Sequence, residues 1–210
     1  MLRTETIEPG TLDILIKCMK LPSLAPFILV GGTALSLQYG HRMSIDLEFF
    51  GTVDQLDSEA IKTELDSIGN TIFSSESSVM LGFYVNQVKV DIVKYKYKLI
   101  ENPIIIDSIR MAHPKDIGAM KLAAVSGRGK KKDYYDLFFL LQKYSLSQLM
   151  EFNKLKFPDS NEMIILKSIG YFEDADNDAD AILFEKISWN EVKRSNNQHL
   201  KNYLNSNETK

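Results

Sequence analysis

FILVGGTALSLQYGHRMSIDLEFF, residues 27–50, is the stretch on which the fold turns. Phe27–Val30 is a short apolar run after Pro22 and Pro26, and it reads as a buried strand. Gly31-Gly32 then opens a helix over Thr33–Tyr39, which Gly40 ends. Ile45–Phe50 alternates apolar and acidic residues, so a second strand should send Asp46 and Glu48 to one face. Two carboxylates two residues apart on a strand can share a hard cation. Two glycines at a helix start let a ligand come close to the backbone. The free N–H groups and the Thr33 hydroxyl could then hold phosphate oxygens at the positive helix end. The turn is neither GxGxxG nor GxxxxGK followed by Ser or Thr, so it supports neither a Rossmann nor a Walker reading.

Working outward, Leu12, Leu15, Ile16 and Met19 make a helical stripe in residues 11–20. Gln55–Ile68 reads as a helix stopped by Gly69-Asn70. Two strands follow, Val79–Val85 and Val88–Tyr95, joined by a tight turn at Asn86-Gln87, with a further short strand at Ile104–Ile106. A two-metal phosphoryl or nucleotidyl transfer needs a third acid. Asp91 answers that need: Val88, Val90 and Ile92 point one way, and Lys89, Asp91 and Val93 the other. Taken alone, Asp91 reads rather as a solvated strand residue.

Beyond about residue 110 the pattern turns helical, over Pro114–Ser126, Lys131–Tyr144, Leu146–Phe157, Glu162–Phe172 and Trp189–Leu204. This predicts an α/β first part, 1–110, and a helical second part, 111–210. Arg128, Lys130, Lys131 and Lys132 form a cationic turn suited to phosphate oxygens of an NTP or an RNA backbone, or simply to solvent. Asp133 is a plausible N-cap of the next helix. Asp174, Asp176, Asp178, Asp180 and Glu185 approach EF-hand spacing, but Ala179 stands where the loop needs glycine. A plain acidic loop is the better account. The tail Asn196–Lys210 is expected to fray beyond its helix.

The bulk numbers set bounds. The chain has 210 residues, 44% hydrophobic and 25% charged, an ordinary globular composition. A net charge of -3 argues against wholesale coating of nucleic acid. Cys18 is the only cysteine, which excludes an intrachain disulfide and zinc-cluster spacing. With three histidines, His41, His113 and His199, a Ser-His-Asp hydrolase is a poor fit. No apolar run approaches a membrane span, so no membrane partner and a cytoplasmic location are expected.

The order of parts is more specific than any one of them. It resembles the signature of the nucleotidyltransferase fold, the polymerase-beta-like superfamily: a hydrophobic residue, Gly-Gly or Gly-Ser, then Asp-x-Asp or Asp-x-Glu on a strand. GGTALSLQYGHRMSIDLEFF is similar to the AbiEii/AbiGii abortive-infection toxin family, whose usual form runs GGTAL, then R-x-S-x-DLDFF. The family mostly has Asp where this chain has Glu48. The resemblance implies an α/β (α+β) fold, with a mixed sheet, flanking helices and a helical C-terminal half. It implies a magnesium-dependent (manganese possible) nucleotidyltransferase with Asp46, Glu48 and Asp91 on the metal. Gly31, Gly32, Thr33, Arg42 and Ser44 would lie on the nucleotide. HPKDIGAMKLAAVSGRGKKKDYYDLFFLL, residues 113–141, also matches the family pattern. Lys121 would then contact the triphosphate, and Asp133 would complete the catalytic set. The bare sequence equally allows Lys121 as a surface residue of an amphipathic helix. The acceptor would be a tRNA 3′ end or a protein hydroxyl, and the partner an antitoxin in a toxin–antitoxin or phage-defence pair. Two other readings share the pattern: a degenerate nucleotide- or partner-binding module, and an antibiotic-type small-molecule nucleotidyltransferase.

Overall fold

The computed structural model describes residues 1–208, and the chain divides into two compact units. The first comprises Met1–Lys98 and Asn102–His113; the second comprises Leu99–Glu101 and Pro114–Lys210.

The first unit is built on a sheet with strands β1 (Ile28–Leu29), β2 (Leu47–Gly51), β3 (Thr71–Glu76), β4 (Met80–Val85), β5 (Val88–Lys94), β6 (Ile104–Ile106) and β7 (Ile109–Met111). Their order is β3-β4-β5-β2-β1-β7-β6. The sheet is mixed: β2 runs parallel to β5 and β1 parallel to β7, while β1 and β2 are antiparallel. Helices α1 (Pro9–Cys18), α2 (Gly31–Tyr39) and α3 (Ser58–Asp66) belong to this unit. Leu47 and Phe49 of β2, Val90 and Ile92 of β5, and Leu35 and Leu37 of α2 are fully buried. The period-2 alternation of β2 and β5 thus puts their apolar residues in the core and leaves Glu48, Lys89 and Asp91 partly exposed. Arg110 ties β7 to the stretch after α1, donating to the carbonyls of Met19, Leu24 and Phe27 at 3.0–3.1 Å.

Several elements differ from the sequence reading. β2 starts at Leu47, so Asp46 lies just ahead of the strand; its carbonyl accepts the Thr33 hydroxyl instead of a ladder N–H. α2 starts two residues early, at Gly31. The strands β3 and β7 were not expected. β3 is a polar edge strand, TIFSSE, without core alternation, and β7 is three residues long. The Asn86-Gln87 turn has φ of 48° and 70°, the left-handed pair of a type I′ hairpin, and Asp107-Ser108 repeats it between β6 and β7.

The second unit is helical: α4 (Pro114–Gly127), α5 (Lys131–Leu141), α6 (Leu146–Lys156), α7 (Glu162–Ile169), the single turn α8 (Glu173–Asp176) and α9 (Trp189–Glu208). Ile117, Leu122, Leu137, Leu140, Leu149, Ile169 and Val192 bury fully in it. Leu99–Glu101 joins this unit because Asp116, wholly buried on α4, accepts the N–H groups of Ile100 and Glu101. The same carboxylate meets Lys156 at 2.7 Å, a buried charge matched by its opposite. α9 runs to Glu208, past the expected helix end at Leu204, and Thr209 and Lys210 lie outside the described residues.

Candidate functional site

The acids of the first unit meet through strand register. In the parallel ladder Glu48 lies opposite Asp91, with Leu47 opposite Val90 and Phe49 opposite Ile92. Both acids therefore project to one face on neighbouring strands, and Asp46 precedes Glu48 by one strand period.

What surrounds them is specific. Gly31 has φ of +67°, and a Cβ built on it would lie 1.8 Å from Glu48 Oε2. The close approach permitted by Gly31 is thus made by the Glu48 carboxylate, at the positive end of α2. Val30 at the N-cap of α2 has no side-chain oxygen, and its N–H donates to the Glu48 carbonyl at 2.8 Å. On the other side, a Cβ on Gly82 of β4 would lie 2.5 Å from Ser75 Oγ and 2.8 Å from Ser74 Oγ, with Asp91 Oδ1 at an ordinary contact of 3.4 Å. Gly31 is thus the glycine that leaves a carboxylate, that of Glu48, its room.

The Lys89 ammonium is among these acids. It donates to Asp91 Oδ2, and its charge is acted on by Asp91, Asp46 and Glu48 together. That hydrogen bond, assisted by the three negative charges and opposed by partial burial, raises Lys89 above the ordinary lysine range. The sequence reading placed Lys89 on the Asp91 face but gave it no role.

Thr33, Ser44 and Arg42 are buried. Thr33 donates its hydroxyl to the Asp46 carbonyl and lies 2.8 Å from Ser44 Oγ. Having one proton to give, Thr33 must accept from Ser44. Ser44 N–H donates to the Thr6 carbonyl at 2.9 Å, and Arg42 donates to the Met43 carbonyl at 2.9 Å. The hydroxyls expected on phosphate are here engaged with the loop that carries Asp46. Gly32, one residue into α2, is partly exposed.

Lys121 and Asp133 belong to the second unit. Lys121 is not a surface residue: it is 4% exposed and reaches Asp133 Oδ1 at 2.9 Å and Asp136 Oδ2 at 2.6 Å. Arg128 grips Asp133 with two bonds, Nε to Oδ2 at 2.9 Å and a terminal nitrogen to Oδ1 at 3.0 Å. Burial pushes the Asp133 carboxyl up, but the Lys121 ammonium and the Arg128 guanidinium outweigh it and hold the group below the usual carboxylate range. Asp133 is not the N-cap of α5. That position is Lys130, and Asp133 sits in the first turn with its side chain spent on the cations. Asp136 was missed as a member of this cluster. Its spacing of three from Asp133, one helix face, was the available signal.

The cationic turn differs from its expectation too. Arg128 serves Asp133; Lys130 meets Asp178 at 3.4 Å; Lys131 is buried, reaches Asp180 at 3.2 Å and lies over the Trp189 ring. Asp178 also accepts the Lys131 N–H at 3.0 Å. The acidic segment is therefore the internal counter-charge of the basic turn. Among the described residues no group of three or more His, Cys, Asp or Glu side chains is arranged to enclose a metal ion. The donors around Lys89 are nonetheless hard carboxylate oxygens, already disposed about a cation, and their chemistry fits magnesium or manganese.

Residues 15–204 match the family model described as nucleotidyl transferase AbiEii toxin, type IV toxin–antitoxin system. The chain belongs to the AbiEii family. An uncharacterised protein, aq_aa25, of Aquifex aeolicus (strain VF5) is 36% identical over 199 residues, covering 91% of this chain and 95% of that protein. Among solved structures, a candidate nucleotidyltransferase from H. pylori is similar at a TM-score of 0.56 and 21% identity, over 92% of this chain and 94% of that one. MenT4, the nucleotidyltransferase toxin Rv2826c of Mycobacterium tuberculosis H37Rv, is similar at a TM-score of 0.54 and 14% identity, over 92% of this chain and 86% of that one. The mixed sheet with its flanking helices is thus the nucleotidyltransferase fold, and this AbiEii chain is a nucleotidyl-transferring enzyme. Among the described residues no helix is long and apolar enough to cross a membrane.

Proposed function

We propose that this AbiEii chain transfers a nucleotide from an NTP to a hydroxyl of a tRNA 3′ end or of a protein, using Asp46, Glu48 and Asp91. The observation that carries the reading is the pairing of Glu48 with Asp91 across β2 and β5, against the Gly31 turn.

The acceptor oxygen attacks the α-phosphorus, the bond from that phosphorus to the bridging oxygen of the β-phosphate breaks, and pyrophosphate leaves. Asp91 takes the proton of the attacking hydroxyl. Asp46, Glu48 and Asp91 would hold magnesium, or manganese in its place, which supplies positive charge to the triphosphate and the leaving pyrophosphate. Gly31 and Gly32 offer backbone N–H groups at the α2 N-terminus to the phosphates. Thr33, Ser44 and Arg42 act on the nucleotide by fixing the loop that carries Asp46. Lys121 and Asp133 keep a part in the reaction on the family pattern: Lys121 as a cation for the triphosphate, Asp133 as the group that holds it charged. The type IV toxin–antitoxin family supports an antitoxin partner; a role in phage defence and a cytoplasmic setting, where NTPs are at hand, complete the reading.

The test is incubation with magnesium, total tRNA and each α-labelled NTP in turn, beside Asp46→Ala. Label entering RNA or protein with the wild type alone supports transfer, and the labelled band names the acceptor. Magnesium-dependent NTP binding with no label from any NTP contradicts it and favours a binding module.

A further inference from the structure

Lys89 and Asp91 are two residues apart on β5, so their side chains stand on one face of the sheet. An isolated Lys–Asp pair at a strand surface is worth little. This one differs in its surroundings. The Lys89 ammonium donates to Asp91 Oδ2 while lying in the field of Asp46 and Glu48, which come from another strand and the segment before it. Asp91 is mostly covered, its side chain 14% exposed, whereas that of Lys89 is 41% exposed. The carboxylate is held in place, and the ammonium sits on a flexible stem with a way out to solvent.

We propose that Lys89 is a positioning residue that serves as the internal counter-ion of the acidic cluster, and that it must release Asp91 before a divalent cation can take that carboxylate. This rests on the reading of Asp46, Glu48 and Asp91 as metal ligands. The physical reason is competition for the same negative charge. Asp91 Oδ2 has lone pairs for both, but an ammonium bonded to it already neutralises the charge that a divalent ion would draw on, and the like charges of ammonium and metal repel across the shared site. Lys89 thereby keeps three neighbouring acids from repelling one another in the metal-free chain. It also weakens metal binding, so that the cluster loads when the ion arrives with the additional ligands of the triphosphate. No element of the sequence signature marks this residue; only its place among the acids does.

The test is Mn2+ binding by the full chain without NTP, followed by the electron paramagnetic resonance signal of free Mn2+. Wild type, Lys89→Met, Lys89→Arg and Asp91→Asn are compared, with Lys89→Gln replacing the methionine variant if that one fails to fold. Lys89→Met is expected to bind Mn2+ about thirtyfold more tightly, the order of effect of a unit charge on a divalent ion about 4 Å away in a water-like dielectric. Lys89→Arg, which keeps the charge, should stay within about twofold of wild type on the same ground. The metal-free melting temperature of Lys89→Met should fall and be restored by Mn2+. Unchanged or weaker Mn2+ binding by Lys89→Met, with Asp91→Asn still abolishing it, overturns the role of Lys89 and leaves the metal site standing. Equal Mn2+ binding by wild type and Asp91→Asn removes the metal site itself, and the proposal with it.

Discussion

Gly31 shows how much one missing methyl group can decide. Its φ of +67° is strained for any L side chain, and the space for a Cβ is filled by the Glu48 carboxylate. Gly31→Ala should cost about 1–2 kcal/mol of stability from the backbone alone. The larger effect should be on transfer, which is expected to fall by two orders of magnitude or more because Glu48 must leave its place beside Asp91. Chemical denaturation and a labelled-NTP assay on the same preparation separate the two. A variant as active as wild type would show that the position of Glu48 is immaterial. The glycine pair was legible as a close-approach site, since no other residue type explains it. What else comes close was not legible: the structure puts the Glu48 carboxylate of the same chain against Gly31.

Between elements, α2 and the segment entering β2 are joined by the hydroxyls of Thr33 and Ser44 and the carbonyl of Asp46. Thr33→Val keeps the shape and removes these bonds, leaving a buried hydroxyl and a carbonyl short of a partner. The expected destabilisation is about 1–3 kcal/mol, with a fall in kcat as Asp46 loses its support. A rise in KM for the NTP with unchanged stability would mean that Thr33 binds phosphate directly. At this scale, alternation made β2 and β5 readable, because buried apolar residues and acids alternate with period 2. Register is a tertiary property, so that Glu48 faces Asp91 could not be read from either strand. β3 escaped because an exposed edge strand has no apolar face to reveal it, and β7 because it is too short for a period.

Across the molecule, the two units differ in how they handle charge. The first gathers acids around one partly exposed lysine; the second matches its buried acids with cations, Asp133 and Asp136 with buried Lys121 and exposed Arg128, and Asp116 with buried Lys156. Helical periodicity found the elements of the second unit, but a buried lysine looks like any surface lysine until its partners are known. The same holds for the lysines of the basic turn, whose counter-charge Asp178 lies 47 and 48 residues away in sequence. Asp133 gives this arrangement a pH signature. Its folded-state pKa is lowered, so its stabilisation is fully present above the unfolded value near 3.8 and is lost as pH falls through the lower folded value. Trp189, the only tryptophan, lies in the second unit and reports its acid unfolding. Arg128→Gln removes one of the two cations that lower Asp133, and the acid midpoint should move to higher pH. Identical midpoints would show that Arg128 does not stabilise the ionised carboxylate.

On the proposed mechanism, the acids of β2 and β5 direct attack at the α-phosphorus. The most direct measurement uses one NTP labelled in parallel at the α- and at the γ-phosphate, with the acceptor and released pyrophosphate followed for wild type, Glu48→Gln and Asp91→Asn. The expected result is α-label in the acceptor, γ-label only in pyrophosphate, and loss of both in each variant. Transfer of γ-label, or undiminished α-transfer by Asp91→Asn, would contradict it.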